Sequence, residues 1–178
     1  MTLVNPISHT VLFLAEKNAS TSLREALDGK NGWYRMQVSA WENPPGPWDS
    51  WSDVRFVGVS RNPYERILSY WAYWTKVGGQ AVDHLPFEEW VKQTEQPDHT
   101  CQVEWYRHFN LSTCLRVENL LYDFKFLPHV EFLELPWKNR SSNNWYEEYY
   151  TDKKVVDIVN EWIGDDCEFG RGYKKIVL

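Results

Sequence analysis

The chain has 178 residues, of which 43% are hydrophobic and 25% charged, the balance of a soluble globular protein large enough to bury a core. A formal net charge of -6 argues against nucleic-acid or anionic-membrane partners, which reward a broad basic surface, although a local positive pocket stays compatible with it. Cys101, Cys114 and Cys167 are odd in number and lack paired spacing, which argues against a disulfide framework or a zinc site.

Residues Met1 to Thr10 have neither the basic segment nor the apolar core of a signal peptide, and no later run is long and apolar enough for a bilayer. A cytosolic protein is expected, forming one domain over residues 1–178 without repeat or linker. The sequons at Asn18, Asn110 and Asn139 then read as chance matches. Eleven Trp and ten Tyr supply either a ring-rich core and surface or flat faces for a sugar or an adenine.

The first informative stretch is Val11 to Leu27. An apolar run, Val11 to Ala15, gives way to Glu16-Lys17-Asn18-Ala19-Ser20-Thr21-Ser22 and then to the helical spacing of Leu23, Ala26 and Leu27. A buried strand, a tight polar turn and a helix start are predicted. Such a junction binds anions, because the first amides of a helix have no partner within it and its dipole is positive there. The glycine spacing of a Walker A loop is absent.

The helix is expected to stop near Asp28-Gly29, and Trp33 to Val38 to form a second strand. Trp41 to Trp51 is a loop, since its prolines exclude regular structure; its rings either pack back onto the body or contact an acceptor. A second strand-to-helix junction follows. Arg55 to Ser60 reads as a buried strand, Asn62 as a helix cap, Pro63 as the first helical residue, and Glu65 as the carboxylate of a capping box. Tyr64, Ile67, Leu68, Trp71 and Trp74 fall on one face of that helix, which frays at Gly78-Gly79.

Further on, Pro86 opens a short helix with Phe87, Trp90 and Val91 inward. His99 reads as a loop or capping histidine and also as a candidate general base, since imidazole titrates near working pH. Thr113 to Val117 is predicted as a strand, and Asn119 as the cap of a helix with Leu120, Leu121, Phe124 and Leu127 inward. Val130 to Leu135 is read as a short strand, Pro136 to Asn144 as a polar loop, and the last helix runs from Thr151 to Gly164 with Val155, Val159, Trp162 and Ile163 inward. Strands alternating with helices imply a three-layer α/β fold with a mainly parallel sheet and ligands at the carboxyl ends of its strands.

Two of these stretches resemble one family. Lys17-Asn18-Ala19-Ser20-Thr21-Ser22-Leu23 is similar to the 5'-phosphosulfate loop of sulfotransferases that use 3'-phosphoadenosine-5'-phosphosulfate (PAPS), in particular the carbohydrate branch, although Glu16 stands where that family usually has Pro. Arg61-Asn62-Pro63-Tyr64-Glu65-Arg66, with Ser69 following, resembles the 3'-phosphate signature of the same family, where Arg and Ser grip the phosphate.

The resemblance implies a P-loop NTPase-like sulfotransferase fold and PAPS as co-substrate. It implies cofactor contacts from Lys17, Asn18, Ala19, Ser20, Thr21, Ser22, Arg61 and Ser69, with Lys138 and Arg140 in a closing loop, their other reading being solvated loop cations. Lys17 would balance charge on the leaving oxygen, and Glu42 or His99 would take the proton of a hydroxyl acceptor, expected to be a carbohydrate. The histidines that relatives carry are replaced here by Arg35 and Gln37. No metal is required. Two rival readings stay open: a phosphotransferase of the nucleotide-kinase type, and a non-catalytic carbohydrate-binding module built on the Trp-rich loop.

Overall fold

Four residues at the very start, Thr2–Asn5, form strand β1, a strand the sequence did not announce. Its partner β2 (Thr10–Phe13) returns antiparallel, and the turn between them is built by Asn5, whose Oδ1 accepts the amides of Ile7 and Ser8 at 3.1 and 3.2 Å. This computed structural model describes residues 1–38, 46–79, 81–97, 101–136, 145–169 and 173–178. Among them, helix α1 (Ser20–Leu27), strand β3 (Tyr34–Met36) and strand β4 (Arg55–Ser60) follow in order. Helices α2 (Pro63–Val77), α3 (Phe87–Gln93) and α4 (Gln102–Tyr106) then precede strand β5 (Thr113–Arg116). The short α5 (Leu120–Asp123), α6 (Lys153–Ile163) and α7 (Asp166–Phe169) complete the chain.

The five strands make one sheet in the order β3-β1-β2-β4-β5. β2, β4 and β5 are parallel, whereas β1 pairs antiparallel with both β2 and β3. The α/β class holds, but the sheet is mixed where a mainly parallel one was expected. The physical reason is the Asn5 turn, which folds the chain straight back and so needs no crossover helix.

The chain divides into two compact units, residues 1–61 with 103–140 and residues 62–102 with 141–178. The first holds the sheet. Strand alternation sends Leu3, Leu12, Val57, Val59 and Leu115 to one face, where they pack with Leu23, Ala26 and Leu27 of α1 and with Leu120 and Phe124. Trp33 joins this core, its indole N–H donating to the Pro128 carbonyl at 3.1 Å. Phe13 and Phe56 belong to an aromatic cluster with Phe109, Tyr106 and Trp48.

Gly58 lies in β4 between these residues. A Cβ there would stand 2.8 Å from Leu111 Cδ1 and 3.4 Å from the Tyr106 ring, so the absence of a side chain is what admits both. The strand expected over 130–135 does not form. His129 and Phe132 are left-handed there, with φ of 56° and 69°, which is incompatible with extended pairing.

Among its described residues, the regular elements of the second unit are helices. Tyr64, Ile67 and Leu68 of α2 pack with Phe87, Trp90 and Val91 of α3 and Val155, Val159 and Ile163 of α6. Trp74, expected inward, is 42% exposed, and α2 instead buries Arg66, whose guanidinium lies 5.2 Å from the Tyr70 ring centre. Among the described residues, no helix is long and apolar enough to cross a membrane.

Candidate anion site at the end of the sheet

The predicted strand, turn and helix are present: β2 ends at Phe13, the chain turns through residues 14–19, and α1 starts at Ser20. Two residues of the turn have positive φ, Lys17 at 62° and Ala19 at 55°, on either side of Asn18. Left-handed backbone costs a residue with a Cβ roughly 1–2 kcal/mol, so the turn holds its shape against local preference. Positive-φ positions of this kind occur in backbone concavities that receive anions.

Ala19 caps α1 without a side-chain hydrogen bond, and Ser20 and Thr21, which follow it, are partly buried and exposed. Ala19 has no side-chain acceptor for the amides of the first helical turn. Ser22 is buried, and Glu16 is exposed to solvent.

What holds the turn in place comes from β4. Asn18, fully buried, donates from Nδ2 to the Val59 carbonyl at 2.6 Å. Arg61, one residue past β4 and only 7% exposed, donates from Nη1 to the Lys17 carbonyl at 3.2 Å. β2 and β4 are neighbours and parallel, so both motifs emerge at the same end of the sheet. Lys17 and Arg61 are thus brought together on one turn, with Asn18, Ala19, Ser20, Thr21 and Ser22 around it.

One contributor was missed. Tyr106 of α4 accepts the Val59 amide at 3.2 Å and donates to the Val59 carbonyl at 3.0 Å, clamping the strand end that Asn18 also grips. The signal was Gly58, since a glycine inside a buried strand marks a close approach by something else.

Ser69 lies on α2 in the helical unit, partly buried. At the start of that helix the Asn62 Oδ1 accepts the amides of Tyr64 and Glu65 at 3.0 and 3.4 Å, the cap the sequence predicts. Glu42, His99, Lys138 and Arg140 lie outside the described residues, as does the Trp-rich loop up to residue 45. No group of His, Cys, Asp or Glu among the described residues could hold a metal ion.

No protein-family model, no curated protein and no solved structure matches this chain.

Proposed function

We propose that the protein is a sulfotransferase that moves a sulfuryl group from PAPS to a hydroxyl, that of a carbohydrate. The observation that carries this reading is the 3.2 Å hydrogen bond from Arg61 Nη1 to the Lys17 carbonyl, which joins two sequence motifs 44 residues apart into one cationic turn. A polyanion suits that turn. It brings together a helix start without a side-chain cap, the hydroxyls of Ser20 and Thr21, the Lys17 ammonium and the Arg61 guanidinium that is tied to the Lys17 carbonyl.

In the reaction the acceptor oxygen bonds to sulfur while the bond from sulfur to the 5'-phosphate oxygen breaks. The electron pair leaves on that phosphate, and the acceptor's proton passes to a base, for which Glu42 and His99 are the candidates. Lys17 and the amides of α1 stabilise the charge that collects on the leaving oxygen, and Arg61 holds the 3'-phosphate.

Calorimetry with adenosine 3',5'-bisphosphate tests the reading. The parent binds, and Lys17→Ala and Arg61→Ala each weaken binding about tenfold or more, since a hydrogen bond to a charged group contributes about 1.5–3 kcal/mol. Arg61→Lys, which keeps the charge but not the fork, falls between. Equal affinity across the series refutes the assignment. Preference for ATP with magnesium identifies a phosphotransferase instead, and glycan affinity that survives Lys17→Ala without bisphosphate binding identifies a sugar-binding module.

A further inference from the structure

Residues 120–134 follow β5 in the sheet-bearing unit, and their side chains divide between its core and solvent. Leu120, Phe124, Leu127 and Val130, spaced by three or four residues, are buried in the core beside the sheet. Between them Leu121, Tyr122 and Phe126 are more than half exposed, and Phe132 is completely so. The rings of Tyr122 and Phe126 meet edge to face with their centres 5.4 Å apart. A large apolar side chain exposed by itself is ordinary, but a group of them on one segment marks a contact surface.

The backbone that carries these rings is fastened from the rest of the unit. Arg55 Nη2 donates to the Phe126 carbonyl at 3.2 Å, Trp33 Nε1 to that of Pro128 at 3.1 Å, and Asn31 Nδ2 to that of His129 at 3.0 Å. Phe132 is the unusual member. Its φ of 69° is left-handed, which is costly for a bulky side chain, and its ring gains no packing within the chain in return. Strain without a return inside the molecule points to a return from outside it.

The charges next to the rings are of both signs. Lys125 adjoins Phe126, and Glu131 and Glu134 flank Phe132; all three are exposed and in no ion pair among the described residues. An anionic membrane, or a partner of a single sign, is attracted by part of this set and repelled by the rest. A second copy related by a twofold axis instead sets Lys125 of each chain against the glutamates of the other, so the surface is complementary to itself.

We propose that residues 121–134 form a self-association surface that pairs two copies of this chain, with Tyr122, Phe126 and Phe132 at its centre and Lys125, Glu131 and Glu134 at its rim. At about 150–250 Å² for each large ring, the exposed parts amount to roughly 500 Å² per copy, less than the about 800 Å² of a standard interface, so a reversible dimer of micromolar order is expected.

Sedimentation velocity on the whole protein, from about one to a few hundred micromolar, reads this association. The parent shifts reversibly from monomer to dimer. Phe132→Asn removes the ring and suits the left-handed backbone; it weakens the dimer about tenfold or more, while the thermal midpoint of the dilute monomer stays or rises. Lys125→Glu and Glu131→Lys/Glu134→Lys each set like charges against one another and weaken the dimer several-fold. An equimolar mixture of these two variants recovers it, because every charge in the mixed pair then meets its opposite. A parent that stays monomeric over the whole range overturns the proposal, as does a dimer indifferent to Phe132→Asn or a mixture no tighter than its components. Flotation of a monomeric parent with phosphatidylcholine vesicles, lost in Phe132→Asn, gives the surface to a membrane and overturns it as well.

Discussion

Two helices carry the candidate motifs at their starts, and they begin in opposite ways. α1 starts from Ala19, left-handed and without a side-chain cap, whereas α2 starts from Asn62, whose side chain accepts two amides of its own first turn. The first helix starts without a side-chain cap; the second closes its own start. At the first junction the helix follows a left-handed residue without a side-chain cap, and at the second a side chain closes the helix start, with Arg61 reaching back to the Lys17 carbonyl.

The sharpest way to break this contrast is at Val59, to which the first turn is tied. Tyr106→Phe leaves a buried amide and carbonyl without their shared hydroxyl, and a loss of about 2 kcal/mol in denaturant unfolding is expected, with weaker bisphosphate binding as the turn loosens. Unchanged stability and binding would show that Asn18 alone suffices.

The paired substitutions Asn62→Ala and Ala19→Gly probe the two helix starts directly. Removing the α2 cap costs about 1 kcal/mol, while glycine at the left-handed position relieves strain and stabilises by up to about 1 kcal/mol. Opposite signs in urea midpoints support the contrast, and equal signs contradict it.

The smallest effect concerns a third helix start, that of α6, where the cap is charged. Asp152 accepts the Lys154 amide at 2.7 Å and pairs with Lys92 at 2.8 Å, and the Lys92 ammonium holds its carboxyl below the usual range. A carboxyl depressed in the folded state stabilises above its unfolded value and loses that contribution as pH falls through its folded value. Urea midpoints should thus drop less steeply in Asp152→Asn than in the parent between neutral pH and the acid side of the carboxylate range. Parallel curves would show that the pair adds nothing.

The sequence made the first junction plain because an apolar run and a 3.6-residue pattern meet there with seven polar or small residues between them. It made α2 plain through Asn62 and Pro63. It could not reveal β1, since only Leu3 and Val4 of its four residues are apolar and the buried Thr2 and Asn5 at its ends read as polar loop.

For the same reason the antiparallel edge of the sheet stayed hidden, its turn depending on one Asn side chain rather than on an Asn-Gly pair. Trp74 misled because periodicity assigns a face and not a depth. The hold on Val59 by Tyr106 joins residues 47 apart, a distance over which no local pattern speaks.

The sheet-bearing unit is sewn from two separated lengths of chain, and its last strand, β5, is contributed by the second. A fragment stopping at residue 61 would therefore present β4 with an open side, a row of unsatisfied backbone groups beside Phe56, Val57 and Val59. Such a piece is a template for sticking to its own kind. During synthesis the ribosome must deliver more than a hundred residues before that flank is sealed, and expression trimmed to the first unit by a single cut will give inclusion bodies rather than a working half.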